Sequence, residues 1–369
     1  MTARRSEIQV EYLPGRTGGA GGATSGEDVT RDLVPFVEAA TYTDHARGEA
    51  DAAELRLSDR DGRFSGRPVA AFPDRPAWPF ARGSRFRLGL LLLDWEGPGL
   101  DVLLPWGTFE LDEVKPAGGE LGTAVTLRMQ SAAVLGSGAG FREARASRRY
   151  PVGSTLAEVC ADVAGRHGLG LEFLAADVPF GRPVDQVDEP DASFLTRLCD
   201  RAGAFLSVRE AGENGPVRLV VSDEPGLADQ EAVVVRPDRC SSWSFVTAVH
   251  GRFKAATCSY FDPRKGEVVE ATAKSADWTD SAETLRVQAT VASEAEALRV
   301  AAAALRGENR AGQPGNVRLA PGLPGARAGS VVEAEGFGLD DGRYLVDRAD
   351  HAWAAADGYT TSLALARLP

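Results

Sequence analysis

The sequence has few of the residues that build metal sites or disulfide frameworks. Four cysteines and four histidines are scattered over 369 residues, with no C-x-x-C pair and no H-E-x-x-H spacing. Thiols spread in this way are typical of a protein made in a reducing compartment. The spacing excludes an ordinary zinc motif and leaves open a metal site assembled from distant positions. These residues are Cys160, Cys199, Cys240, Cys258, His45, His167, His250 and His351.

Long apolar runs and an excess of positive charge are also missing. No run of eighteen apolar residues occurs, and the N-terminus has no apolar signal-peptide core. The sequence therefore predicts a chain made in the cytoplasm without a signal peptide and without membrane insertion. The formal net charge of −12 argues against a specific nucleic-acid partner, because phosphate contacts need a basic surface.

What the sequence does contain is a succession of short strand-like runs. With 41 glycines and 21 prolines, many turns are expected. The chain is long enough for two or three domains with their own cores. Alternating or apolar runs in the N-terminal part predict a closed antiparallel barrel or a sandwich. These runs lie at 6–12, 54–57, 86–94, 107–114 and 124–129.

Residues 154–208 read differently, as two short helices alternating with short strands. Thr155 and Glu158 form a capping-box pattern at the first helix. Asp191 is the predicted N-cap of the second helix, and Gly168 and Gly203 are the predicted stops. The helices present plain apolar faces, so we expect a compact α+β scaffold without a polar cluster at its centre.

The C-terminal part returns to β patterns. Runs at 231–235, 242–246, 255–260, 267–272, 331–335, 343–346 and 360–366 predict strands, and Ser293 with Glu296 forms a second capping-box pattern. The predicted fold class is mainly β with an α+β insert. The predicted domains are a first β-barrel at 1–135, the insert at 136–225 and a second β-rich domain at 226–369 with one helix at about 293–306.

Each candidate chemical site has a plainer interpretation. The turn from Asp59 to Gly62 lacks later ligands of a calcium loop. Glu110 and Asp112 share a strand face as a glycosidase pair would, but acidic alternation on a solvated strand is the commoner cause. The basic run at 142–149 permits nucleic-acid binding, but a solvated face or salt bridges to an acidic partner subunit are the commoner use of such arginines. We therefore expect no catalytic, cofactor-binding or metal residues, no cofactor and no enzyme. The six tryptophans are dispersed, at Trp78, Trp95, Trp106, Trp243, Trp278 and Trp353.

An ordered set of stretches over residues 28–369 resembles the late control protein D family of contractile-tailed phages, the baseplate hub. It is similar in plan to the hub part of type VI secretion spike proteins. The set includes GTFELDEV, STLAEVCADVAGRHGL, DASFLTRLCDRAGAFLSV, YFDPRKGE and DGRYLVDRADHAW. Two departures are Glu189-Pro190-Asp191, where the family usually has Glu-Ser-Asp, and the glycine-rich loop at 15–26.

The resemblance implies a virion structural protein that forms a homotrimer. Two tube-type β-barrels per chain would make a ring of six pseudo-equivalent barrels between a six-fold tail tube and a trimeric spike protein. Tape measure and baseplate proteins are further candidate partners, and the particle is a phage tail, a tailocin or an extracellular contractile injection system. The negative charge suggests an acidic lumen that repels DNA. The alternatives are a tail-associated cell-wall hydrolase and a wall-binding module.

Overall fold

The computed structural model is mainly β and describes residues 4–13, 33–46, 51–60, 62, 64, 84–119, 122–131, 141, 144–210, 217–223, 226, 231–248, 251–262, 265–275, 278–281 and 283–368. The glycine-rich loop at 15–26, Arg142, Trp78 and His250 lie outside these residues. Among the described helices, none is long and apolar enough to cross a membrane.

Six strands in the first third of the chain form an antiparallel array in the order β1-β4-β5-β6-β3-β2. Inward-facing residues such as Ile8, Leu55 and Leu127 build its core because side chains alternate between the faces of a strand. The predicted strands all lie in this array. On β4, which was expected to be buried on both faces, Leu91 and Leu93 are only half-buried. The strands are β1 Arg5–Leu13, β2 Val37–His45, β3 Ala52–Ser58, β4 Arg85–Gly97, β5 Leu100–Gly119 and β6 Gly122–Ser131.

An α+β unit follows, in which two helices cover the three-stranded sheet β10-β11-β8 beside the two-stranded sheet β7-β9. Thr155 and Glu158 make both bonds of the predicted capping box. Gly168 and Gly203 end the helices in the left-handed conformation, as expected. The elements are β7 Arg145–Tyr150, α1 Leu156–His167, β8 Gly170–Leu174, β9 Val184–Pro190, α2 Asp191–Ala202, β10 Ala204–Glu210 and β11 Val217–Asp223.

Two predictions for this unit are wrong. Asp191 is not the N-cap, because α2 begins at Asp191 and its N-cap is Pro190, which makes no side-chain cap. The Asp191 carboxylate is buried and lies 2.7 Å from His167 Nε2 and 3.1 Å from Arg166 Nη1. It also accepts a hydrogen bond of 2.7 Å from Gln186 Nε2. A polar cluster therefore joins the start of α2 to the end of α1, where the helix dipole favours cations. The second wrong prediction is thus the expectation that this unit has no polar cluster at its centre.

The C-terminal strands belong to two separate sheets. Strands β14, β15 and β16 form a separate three-stranded sheet whose own core packs against helix α3. The other six strands form the second array described below. The sequence did not indicate β16 and β17. The elements are β12 Val233–Val235, β13 Cys240–Phe245, β14 Phe253–Asp262, β15 Glu267–Lys274, β16 Glu283–Val287, α3 Glu294–Ala311, β17 Pro314–Leu319, β18 Val331–Ala334, β19 Gly342–Ala354 and β20 Gly358–Arg367.

Helix α3 starts at the predicted cap but runs past 306 to Ala311. Ser293 accepts a hydrogen bond from the Glu296 backbone N–H at 3.2 Å. The reciprocal half of the predicted capping box is replaced, because the Glu296 carboxylate accepts from the Ala292 N–H at 2.9 Å and pairs with Arg201 of α2. Helix α3 is thereby tied to the first α+β unit.

The C-terminal array has the strand order β12-β18-β19-β20-β17-β13. Pairing of β2 with β19 joins it to the N-terminal array, so that both belong to one twelve-stranded sheet. In the described residues β1 does not pair with β2, nor β12 with β13. Closure of each array into a barrel therefore stays a prediction.

Candidate assembly site

The two arrays repeat one strand order. Numbered along the chain within each array, both read first, fourth, fifth, sixth, third, second. Every neighbouring pair is antiparallel in both arrays except the first, since β1 is antiparallel to β4 whereas β12 is parallel to β18. A shared order of six strands indicates an internal duplication.

Irregularities in the ladders occur at matching places. Leu111 donates its N–H to Ser84 O at 2.9 Å, and Val346 donates to Ser330 O at 3.0 Å. Directly after each lies a bulged aspartate, Asp112 in β5 and Asp347 in β19. Bulges are specific features of a sheet, so their repetition fixes which residues are equivalent. The sequences around them, GTFELDEV at 107–114 and GRYLVDRA at 342–349, share a glycine, an aromatic residue and the aspartate.

The second strands of the arrays, β2 and β13, are also equivalent. Each follows a single 3₁₀ turn, Val34–Phe36 or Pro237–Arg239, and each has a register shift after its first residue. Each pairs with the matching third strand, so that Ala40 lies opposite Leu55 and Trp243 lies opposite Val317. Val37 to His45 therefore correspond to Cys240 to Ala248.

The junction between the arrays is an antiparallel ladder. Residues 39–45 of β2 pair with residues 348–354 of β19, from Ala39 opposite Ala354 to His45 opposite Arg348. Side chains reinforce the ladder: Thr43 Oγ1 donates to Asp350 Oδ1 at 2.9 Å, and Trp353 Nε1 donates to Ser6 O at 3.0 Å. The junction thus couples two N-terminal strands, β2 and β1, to β19.

A buried histidine lies at the centre of the junction. His351 is 1% exposed, and its Nδ1 lies 2.7 Å from Tyr359 Oη. Its ring stacks on Tyr42 of the opposite strand at a centroid distance of 5.8 Å. Burial lowers the pKa of His351 to about 4, so the ring is neutral near pH 7. This satisfied, enclosed imidazole is placed to hold the two arrays together.

The equivalents of the two junction strands, β13 and the C-terminal half of β5, each have one edge without a partner strand in the described part of the chain. Strand β13 pairs with β17 only, and Trp243 is 49% exposed. Residues 112–119 of β5 are exposed apart from Val114, and no described strand continues β4 beside them. In the junction, the equivalent stretches of β2 and β19 cover each other.

The sequence candidates for chemistry are engaged in structural contacts. Glu110 forms a salt bridge of 3.3 Å with Arg85, and Asp112 accepts from Gln130 Nε2 at 3.0 Å. Asp59 accepts from the Phe64 N–H at 2.6 Å and so closes a turn. Within the described residues, no group of three or more His, Cys, Asp or Glu residues is placed to hold a metal ion.

The arginines of the basic run face carboxylates along β7. Arg145 lies 3.5 Å from Asp188, Arg148 lies 3.3 Å from Asp162, and Arg149 lies 3.7 Å from Asp185. These arginine side chains are 58%, 49% and 69% exposed, as expected for a solvated face, and the carboxylates with which they pair belong to the same chain and not to a partner subunit. Because each guanidinium has a partner within the same unit, this strand is not a free basic surface.

A cleft of about 830 Å³ lies between α3 and the C-terminal array. Four arginines and a lysine line it, together with one carboxylate, that of Asp340. Glycoside hydrolysis ordinarily needs two carboxyl groups, one on each side of the scissile bond. The described lining of this cleft supplies one.

Comparison with known proteins gives one family. A probable baseplate hub protein of Escherichia phage 186 is 31% identical over 186 residues, which cover 50% of this chain and 41% of that protein. The chain thus spans about two fifths of the length of that curated relative.

Solved structures share the fold at low identity. The 43 kDa tail protein of prophage MuSo2 from Shewanella oneidensis has a TM-score of 0.61 at 14% identity, covering 99% of this chain and 98% of that chain. A type VI secretion system component of E. coli has a TM-score of 0.53 at 10% identity, covering 90% and 74%. The family model for the phage tail baseplate hub (GPD) matches residues 123–356, more than half of the chain. The chain belongs to the phage tail baseplate hub (GPD) family.

Proposed function

We propose that this protein is the structural hub of a contractile injection machine. In this role three copies form a ring of six pseudo-equivalent β arrays, which adapts a six-fold tail tube to a trimeric spike protein. The duplicated strand order carries the proposal, because two like arrays per chain turn threefold symmetry into approximate sixfold symmetry. The arrays lie in the tube-type domains proposed at 1–135 and 226–369, and the proposed insert at 136–225 lies between them in the chain.

The proposal is non-enzymatic. The family is structural, the candidate carboxylates make structural contacts, and the buried His351 is enclosed by Tyr42 and Tyr359. A wall-binding module would present aromatic residues together on one exposed sheet face. Here Trp95 and Trp106 are buried, and Trp243 lies in an edge strand.

Light scattering of the full chain tests the proposal. We expect a mass of three times 39.0 kDa for the chain alone or, after addition of a trimeric spike protein, the mass of a complex that contains three copies of the chain. A chain that stays monomeric in both conditions and cleaves peptidoglycan would instead be a wall hydrolase.

A further inference from the structure

We infer that β13 of one copy pairs with residues 113–119 of β5 in the next copy, in the register that β2 and β19 show within the chain. The inference rests on the proposed hub function and names the contact that closes the ring. Its basis is the pair of equivalences already described, β2 with β13 and β19 with β5. The first array meets the second through β2, so the second array meets the next copy's first array through β13.

The register follows from the observed pairs. Trp353 lies opposite Ala40 and His351 opposite Tyr42. Replacing each residue by its equivalent places Trp243 opposite Gly118, Phe245 opposite Pro116, and Ser244 opposite Ala117. Beyond Phe245 the chain already continues the ladder on its inner side, since Val246 N–H donates to Pro314 O at 3.0 Å and Ala248 N–H to Gly312 O at 3.1 Å. The outer side of 240–248 is therefore extended and ready to accept a strand.

In both contacts a large side chain faces a small residue, but the strand that supplies the large side chain in one contact supplies the small residue in the other. In the chain, the large Trp353 of β19 faces the small Ala40 of β2. Between copies, the large Trp243 of β13 would face Gly118 of β5. The Trp243 ring makes an edge-on contact with the Phe337 ring, at a centroid distance of 5.3 Å, which fixes its orientation. An aromatic side chain over a glycine of the neighbouring strand buries the exposed ring without a clash.

The contact between copies is the weaker of the two. His351 and its bond to Tyr359 are replaced by Pro116, which has no backbone N–H to donate. Proline is tolerated in edge strands, which fits a strand that is an edge until assembly. We therefore expect the ring to dissociate before the chain unfolds.

The two surfaces are different parts of the chain, so the contact is head-to-tail. Such heterologous contacts form rings when the rotation between neighbours closes. Each copy adds two arrays to the series, and a ring of six arrays therefore contains three copies.

Disulfide cross-linking in the full chain tests the register. Ala117→Cys combined with Ser244→Cys places the two thiols opposite each other between copies, and a control combines Ala117→Cys with Thr247→Cys, three residues away. We expect covalent dimers and trimers on a non-reducing gel for the first variant, at least about 10-fold more than for the control. The native cysteines are the same in both variants. A trimer by light scattering without this difference would overturn the pairing but not the hub, whereas a chain that stays monomeric both alone and with the spike protein would overturn both.

Substitution of the edge tryptophan is the second measurement. Trp243→Glu is expected to weaken assembly by about 30-fold, the effect of removing one aromatic hot spot. Val268→Glu, at an apolar residue 68% exposed on a different sheet, is the matched control and leaves assembly unchanged. Equal assembly of the two variants, both folded by circular dichroism, contradicts the inference.

Discussion

The junction between the two arrays and its bare counterpart have the same strand order and different surfaces. At the junction, His351, Tyr42 and Ala40 are buried. At the counterpart, the equivalent Pro116 is exposed, Phe245 is half-buried and Trp243 is 49% exposed. Covering a strand edge requires a partner strand, which the first array finds in β19 and the second array does not find among the described residues. Two arrays of one strand order therefore differ in whether the edge of the second strand is covered within the described residues.

Removing the junction histidine should produce the largest difference in stability between the two regions. His351→Ala leaves a cavity and deprives Tyr359 Oη of its 2.7 Å partner, so we expect a loss of about 3 kcal/mol in the free energy of unfolding. Pro116→Ala at the equivalent exposed position should change it by less than about 1 kcal/mol. Urea unfolding followed by circular dichroism measures both. Equal losses would contradict the claim that only one of the two contacts is formed within the chain.

Low pH should weaken the junction between the two arrays, where His351 is buried. The pKa of His351 is about 4 in the folded chain, below the roughly 6.5 of an exposed histidine. Protons therefore bind the unfolded chain more readily, and lowering the pH favours unfolding. This contribution is absent above pH 6.5, grows to about 3 kcal/mol as the pH falls to 4, and is constant below that.

The measurement is the urea midpoint at a series of pH values from 7.5 to 4. Carboxylates also titrate over part of this range, so the informative quantity is the difference between the native chain and His351→Gln. The variant should start lower and fall less steeply between pH 6.5 and 4. Parallel curves would show that His351 does not lose its proton on folding.

Substitution of Asp44 and of its equivalent Thr247 should give a smaller difference in the free energy of unfolding. The buried Asp44 carboxylate accepts a hydrogen bond of 2.9 Å from the Ala328 N–H. Asp44→Ala leaves that donor without this acceptor, and we expect a loss of about 2 kcal/mol. Thr247→Ala should cost less than about 0.5 kcal/mol. Thermal unfolding of the two variants provides the comparison, and a Thr247 effect as large as that of Asp44 would show that 240–248 is already covered in the monomer.

Local features were readable from the sequence, and distant pairings were not. Both bonds of the Thr155–Glu158 box lie within four residues, so spacing alone predicts them. Glu296 has the same spacing from Ser293, but Arg201 competes for its carboxylate from 95 residues away. Asp191 likewise turns to His167 and Arg166 of another helix.

The duplication left a weak sequence signal. Gly107 matches Gly342 and Asp112 matches Asp347, with Phe109 and Tyr344 between them. Such a sparse match becomes recognisable only when the strand order and the bulges coincide. The junction joins residues about 300 apart, and periodicity within a strand carries no information about which strand is its neighbour. The assembly site could therefore be found only from the fold.

The smallest effect concerns Cys240, the equivalent of Val37. Cys160, Cys199 and Cys258 are each at most 1% exposed, while Cys240 is partly exposed at the start of β13. Burial, with a contribution from Asp238, raises the pKa of the Cys240 thiol above its ordinary value, so maleimide labelling should be slow at neutral pH and faster as the pH rises. We expect labelling of the native chain at Cys240 alone, read by mass spectrometry after digestion.

Assembly should slow this reaction further, because a strand added to β13 covers the neighbouring backbone. The comparison is the labelling rate of native chain against Trp243→Glu at the same concentration, with Cys240→Ser as the control for the site. We expect a rate a few-fold lower in the assembled native chain than in the variant. Equal rates, with the native chain a trimer, would place β13 away from the contact between copies. The bare edge would then serve a different partner from the next copy of this chain.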